Sequence, residues 1–347
     1  LKKSILFILL ILTLAILIVP TVLVTMDDND AVKAGTSPSN PDSTTASSPD
    51  HSPLVRVYLT KEQKVLEIPL ESYIKGVVAS EMPADFHLEA LKAQALAART
   101  YMVDRLTKKD FSDMKRWGKR AETAHVTDTV QHQVFSSEET LKERWGNQYT
   151  EKWSLIQQAV DETKGQIITY QGKPIYAAFF STSNGRTENS EDYFTSKYPY
   201  LRSVDSKWDQ QSPKYKQVTT WKTTDFLKKL STNTGKNIAA PVSTNQQLIR
   251  ILERTPGNRI AQIQIGDEKF TGREVREALH LASTDFSWQI KGKTIVITTR
   301  GFGHGVGMSQ WGANLMAQQG KKATEIIQHY YQGVKVEKVP LLITGMK

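Results

Sequence analysis

Three stretches of this 347-residue chain combine side chains suited to chemistry. The first is Ala79-Ser80-Glu81-Met82-Pro83, which sets a carboxyl at the end of an apolar helical run. Unpaired carbonyls and the negative dipole end of a helix disfavour an ionised carboxylate, so a raised pKa, suited to a general acid, is expected there. A glutamate simply solvated at a helix end is the competing reading. The second stretch, Gly301 to Ala313 (GFGHGVGMSQWGA), lies between a strand-like and a helix-like run. Its glycine spacing fails the dinucleotide fingerprint, and it lacks the Gly-Lys-Ser/Thr end of a phosphate loop, which argues against nucleotide binding. Alternate glycines instead imply backbone turning tightly against another element, either holding His304 and Gln310 towards a cleft or serving only as a turn. The third, Ser181 to Glu188 (STSNGRTE), offers hydroxyls, an amide and a guanidinium at one strand end. That set suits recognition of sugar hydroxyls, an ordinary polar turn being the alternative, and no Gly-x-Ser-x-Gly elbow marks a serine nucleophile.

Composition narrows the chemistry further. The chain has no cysteine, which rules out disulfides, thiolate zinc sites and a thiol nucleophile. Its seven histidines include no His-Glu-x-x-His and no close cluster, so no metal site and no cofactor is expected. Lys and Arg number 45 against 36 Asp and Glu. This moderately basic balance suits an anionic wall or membrane surface, and export argues against nucleic acid as a partner.

The export expectation comes from the N-terminal region. Ile5 to Val24 carries no charge, and at about 1.5 Å per residue it can cross a hydrocarbon core of about 30 Å. Lys2 and Lys3 before it and Asp27, Asp28 and Asp30 after it orient the chain by the positive-inside rule. Residues 1–4 are therefore expected as a cytoplasmic tip, 5–25 as a single transmembrane anchor, and the rest as extracytoplasmic. A signal peptide cleaved near Val32-Lys33-Ala34 is the alternative, although the apolar core exceeds the usual h-region. Residues 26–53, rich in Ser, Thr, Pro, Asp, Asn and Gly, cannot bury enough apolar surface to fold and form the expected linker.

The elements that must position the chemistry follow in residues 54–347. Strand-like runs at 55–59 and 65–68 precede a helix whose stripe is Leu70, Tyr73, Ile74, Val77 and Val78, stopped by Pro83 just beyond Glu81. A longer helix is expected from about Phe86 to Leu106, with Leu88, Leu91, Ala95, Ala98 and Met102 facing a core and Lys92 and Arg99 sharing another face. The basic run Arg105 to Arg120 reads as a solvated face, with glycan contact through Trp117 as the sharper alternative. Gln166–Tyr170 and Ile175–Phe180 read as the arms of a hairpin. A mixed region at about 220–293 reads as an inserted or second lobe, followed by a strand at 294–298 and helices near 309–319 and 324–332. The expected fold class is α+β: mixed helices and short antiparallel sheets, in two lobes around a cleft, after one N-terminal transmembrane helix.

Ser80–Tyr101 (SEMPADFHLEALKAQALAARTY), Thr127–Phe135 (TDTVQHQVF), Phe179–Phe194 (FFSTSNGRTENSEDYF) and Gly301–Ala313, in this order, resemble the SpoIID family, the stage II sporulation D proteins of endospore-forming bacteria. The resemblance extends from about Val55 to the C-terminus. It implies a lytic transglycosylase that cuts the bond between N-acetylmuramic acid and N-acetylglucosamine in peptidoglycan during engulfment, leaving 1,6-anhydro ends. It further implies that Glu81 is the catalytic acid and base, in the mother-cell engulfing membrane, with stage II sporulation proteins P and M as partners. Lys92, Arg99, Tyr101, Ser181, Asn184, Thr187, Tyr193, His304 and Gln310 are the candidates for holding the glycan. A hydrolytic muramidase using Glu188 or Asp192 as second carboxylate, and a non-catalytic wall-binding scaffold that recruits an amidase, remain as alternatives. Some family members carry a Cys-x-x-x-His-Cys pattern where this chain has Thr127, Gln131 and His132, so hydrogen bonds and packing are expected to replace any metal there.

Overall fold

Pro83 and the apolar spacing before it dictate the first helix seen in the computed structural model, which describes residues 52–238 and 248–338. Strands β1 (Leu54–Leu59) and β2 (Lys64–Pro69) pair antiparallel and lead directly into α1 (Leu70–Glu81). Tyr73, Ile74, Val77 and Val78 are fully buried, and Met82 turns extended, as a residue before proline must. Helix α2 (Leu88–Lys108) starts at His87, whose ring accepts a hydrogen bond from the Glu89 N–H, and ends at Lys109 in the left-handed region. Its small residues Ala90, Ala93, Ala97 and Ala98 are fully buried, which lets neighbouring elements approach closely from several sides. Strand β3 (Val126–Thr127) then pairs parallel to β1.

Helices α3 (Glu138–Trp145) and α4 (Tyr149–Asp161) lead to strand β4 (Gln166–Tyr170), with β5 (Lys173–Pro174) and β6 (Phe179–Phe180) beyond it. The expected hairpin is cut short. Only Lys173 and Pro174 pair with β4, one further bond runs from the Ile175 N–H to the Ile168 carbonyl, and a turn in which the Ala178 N–H bonds the Tyr176 carbonyl then bends the chain away. Phe179 and Phe180 pair instead, in parallel, with strand β13 (Met308–Ser309). The sheets are thus not all antiparallel, because β3 and β13 join partners distant in sequence.

Between these elements the chain forms β7 (Lys216–Lys222), α5 (Thr223–Thr234), β8 (Ile249–Arg254), β9 (Ile260–Ile265), β10 (Glu268–Thr271), α6 (Gly272–Leu279), β11 (Phe286–Lys291) and β12 (Thr294–Arg300). They make two three-stranded sheets, β10-β9-β8 and β11-β12-β7, around an apolar cluster separate from the main one. The strand expected at 294–298 belongs to this region, since β12 lies between β11 and β7. Helices α7 (Gln310–Gln318) and α8 (Ala323–Tyr330) return to the main core, and β14 (Lys335–Lys338) closes the sheet β14-β4-β5. The fold is therefore mixed α+β with several short sheets and, among the described residues, eight helices.

No helix among the described residues is long and apolar enough to cross a membrane. The anchor and linker expected at 5–25 and 26–53 fall, apart from the last two linker residues, outside the described residues.

The glycine turn before α7 illustrates how sequence becomes geometry. At Gly307 φ is +78°, and a Cβ would stand 2.0 Å from the Ala178 carbonyl oxygen, so only glycine lets this strand lie on β6. Gly307→Ala is expected to cost about 2–4 kcal/mol, combining the left-handed penalty with the clash. Gly320 has a similar φ of +88° but open space around it, so Gly320→Ala should cost only about 1–2 kcal/mol. Urea denaturation of the two variants checks the difference.

Candidate active site

A pocket of about 640 Å³ opens beside the main core. Glu81 enters it from the end of α1, and Tyr101, Asp104, Arg105 and Lys108 enter from the second half of α2. The loop before α3 contributes Val130 to Gln133, the bent segment after β5 contributes Tyr176 to Phe179, and Phe194 and His304 complete the wall. None of its lining residues comes from the region 216–300, so this pocket does not lie between the two apolar clusters, where a cleft between lobes was expected.

Glu81 is half-buried, and its Oε1 accepts a 2.8 Å hydrogen bond from the Val134 backbone N–H. Burial raises its pKa above the usual glutamate value, while the Val134 N–H and the Gln310 side-chain amide pull in the opposite direction. Gln310 is itself buried, and its Nε2 also donates to Gln94 Oε1 at 3.4 Å. A carboxyl held this way has a fixed orientation and a stabilised protonated form, the two requirements of a general acid.

His304 stands on the glycine turn among Phe180, Tyr193 and Phe194, with ring centres 5.4–5.6 Å away. Its Nδ1 accepts from the Val306 N–H at 3.1 Å. Burial, followed by the nearby Arg276 cation, pushes its pKa down to about 3, so it is a neutral wall of the pocket near pH 7. Tyr101 is pushed up to about 12, first by burial, and presents a neutral hydroxyl.

The other sequence candidates have different surroundings. Arg99 does not reach the pocket: it is 1% exposed and is used up by Glu71, the Thr163 hydroxyl and the carbonyls of Val160 and Gln166. Lys92 pairs with Glu89 at 2.9 Å and with Glu162. Thr187 is buried, donating to the Arg202 carbonyl and accepting from the Val204 N–H. Asn184 donates to the Gly257 carbonyl and to Asp285, each at 3.0 Å. Ser181 gives its carbonyl to the Trp311 N–H at 3.0 Å. Tyr193 reaches the pocket indirectly, packing on His304 while its hydroxyl accepts from Arg276 at 3.0 Å. The polar stretch 181–188 is thus mainly a joint between elements, because its groups satisfy buried backbone rather than face solvent.

Glu188 and Asp192 line a different pocket, of about 260 Å³, together with Arg259. Glu188 accepts from the Thr255 hydroxyl at 2.9 Å and lies 3.7 Å from the Arg259 guanidinium. Burial pushes its pKa up to about 7 against the pull of Arg259. Neither residue shares the pocket of Glu81.

Several polar residues in or beside the candidate site escaped the sequence reading. Asp113 joins Arg105 at 2.6 Å and His132 at 2.8 Å on the pocket wall, and both partners hold its carboxyl below the usual aspartate range against burial. Gln94 and Gln133 lie within two of the family-like stretches but carry no charge to single them out, and only their neighbours in the fold do so. Where the Cys-x-x-x-His-Cys pattern is absent, the Thr127 hydroxyl bonds His132 Nδ1 at 2.9 Å and His132 Nε2 bonds Asp113. Among the described residues no group of three or more His, Asp or Glu could hold a metal. The basic run is partly structural as well, with Trp117 packed near Tyr58, Met114, Ala121 and Ala124.

The SpoIID family model, described as stage II sporulation protein, matches residues 58–170. Stage II sporulation protein D of Bacillus amyloliquefaciens is 50% identical over 284 residues, covering 82% of this chain and 78% of that protein. The same-named protein of Bacillus subtilis (strain 168) is 46% identical over 284 residues, covering 82% and 79%. A more distant relative, the amidase enhancer of Bacillus subtilis (strain 168), is 29% identical over 309 residues, covering 75% of this chain and 39% of that protein. With 46–50% identity over 284 residues, most of each chain, this protein belongs to the stage II sporulation protein D family.

Proposed function

We propose that this protein is a peptidoglycan lytic transglycosylase that processes the cell wall during sporulation. The observation that carries the reading is the Glu81 carboxyl, held by amide donors with a raised pKa in a pocket large enough for sugar rings, where the pKa values of the Asp110 and Asp113 carboxyls are instead lowered. Protonated Glu81 donates to the leaving glycosidic oxygen between N-acetylmuramic acid and N-acetylglucosamine. As carboxylate it then removes the proton from the muramic C6 hydroxyl, which attacks C1 and closes a 1,6-anhydro ring. Because that nucleophile is already part of the sugar, no second carboxylate is required to activate water. Tyr101, His304 and Gln310 serve the bound glycan and the acid, whereas Lys92, Arg99, Ser181, Asn184, Thr187 and Tyr193 act through the frame around them.

The family membership supports a sporulation role, and the relative named amidase enhancer supports work beside an amidase. In this proposal the apolar run Ile5 to Val24 ties residues 54–347 to the outer face of the engulfing membrane, where proteins P and M of the same stage are its partners. A hydrolytic muramidase is the alternative closest in chemistry. Its proposed second carboxylates, Glu188 and Asp192, line another pocket, which argues against it. Mass spectrometry of products from bare glycan strands separates the two: anhydro-muramic ends are expected, and reducing ends carrying the mass of added water would reject the transglycosylase.

A further inference from the structure

Gln133 stands on the wall of the Glu81 pocket and is only 2% exposed. Its Oε1 accepts from the Tyr73 hydroxyl at 3.1 Å, which fixes the amide plane and aims the other end elsewhere. That end, Nε2, has no hydrogen-bond partner, and among the described residues lining the pocket no other buried side-chain nitrogen or oxygen is in this state. A buried N–H without an acceptor carries a desolvation cost that a bound acceptor removes, so its presence beside a candidate acid marks a place for ligand. The next residue in the chain, Val134, donates its N–H to Glu81. The donor's residue and the backbone N–H that holds the acid are therefore neighbours in one segment.

We propose that Gln133 Nε2 donates to the acetamide carbonyl of an N-acetyl sugar bound beside Glu81, making the N-acetyl group a determinant of specificity. The inference rests on the glycan reading above and adds to it the sugar substituent and the residue that reads it. An acetamide carbonyl only accepts, whereas a sugar hydroxyl can also donate to the carboxylates already lining the pocket. The ionisable donors of that wall are engaged: Arg105 to Asp113 and the His125 carbonyl, Lys108 to Asp104, and His132 to Asp113. Ala177, Ala178 and Phe179 line the same pocket and offer an apolar surface for the acetamide methyl. A site that hydrogen-bonds a substrate group discriminates strongly against analogues lacking it, because the buried donor is then left unpaired.

The test compares chitotetraose with cellotetraose, neutral oligomers that differ in the acetamide, by calorimetric titration of the wild type, Gln133→Leu and Gln133→Met. The wild type should favour chitotetraose by about 10-fold or more, and both variants should bring that ratio close to one. No preference in the wild type, or an equal preference in the variants, overturns the proposal. If the variants do not fold, the wild-type ratio together with the chemical shift of the Gln133 side-chain amide on titration decides, an unmoved resonance counting against it. Parallel cleavage assays on bare glycan separate this inference from the reading beneath it. Preference without cleavage leaves the Gln133 subsite standing and removes the transglycosylase, while cleavage indifferent to N-acetylation removes the subsite alone.

Discussion

Glu81→Gln is expected to lower glycan cleavage by about 10²- to 10⁴-fold, the usual share of a positioned acid and base. Glutamine keeps an oxygen to accept from the Val134 N–H, so the local geometry survives and the loss reports proton transfer. A scaffold that only recruits an amidase would keep its full function after this change. Stability gives an independent reading with a defined sign. Burial raises the Glu81 pKa in the folded protein, so its protonated form is favoured there. The wild type therefore loses stability as pH rises from the unfolded pKa of Glu81 through the raised folded one, and Glu81→Gln should not show that loss. Thermal melting of both proteins across that window checks the sign. The activity profile should fall on its alkaline side as Glu81 ionises. Gln310→Leu removes a donor that stabilises the carboxylate, so the alkaline limb should move to higher pH.

Arg99→Met should unfold the protein far more readily than it weakens glycan binding. Arg99 and Glu71 form a buried pair, with Nη2 to Oε2 at 2.7 Å and Nε to Oε1 at 3.0 Å, and Arg99 also holds the ends of α4 and β4 through carbonyls. Removing one member leaves a buried carboxylate without its cation, a loss of about 3–5 kcal/mol. For a domain of this size that lowers Tm by on the order of 10 °C. Replacing both members, as Arg99→Met with Glu71→Leu, should recover part of the loss, because two apolar side chains need no partner. A residue that held substrate would instead raise KM with Tm unchanged. Calorimetry of the single and double variants, beside KM for the single variant, distinguishes these outcomes.

Both predictions depend on how far local pattern reaches. Glu81 was legible because its placement is local: an apolar stripe at the helical period, then Pro83, fixes where α1 ends and which residue stands there. The glycine turn was legible for a related reason, since Gly301, Gly303, Gly305 and Gly307 all have positive φ that other residues adopt at a cost. The approximate spans of α1, α2, α7 and α8, the first hairpin and the absence of thiol chemistry likewise follow from neighbouring residues and composition, whereas α3 and α4 were not foreseen.

The partners of the charged and amide side chains were decided only by the tertiary structure. Lys92 and Arg99 share a helix face by spacing, but Glu71, 28 residues before Arg99, turned that face into an internal ion pair. Gln133 and Asp113 became pocket residues, and Gln94 the partner of Gln310, because distant elements pack together. Phe179 and Phe180 left their expected hairpin for a strand more than 120 residues away. Helical period, turn preference and backbone strain act within a few residues and can be read from them. Hydrogen bonds, ion pairs and pocket walls depend on distant groups, and no local pattern states which of them will meet.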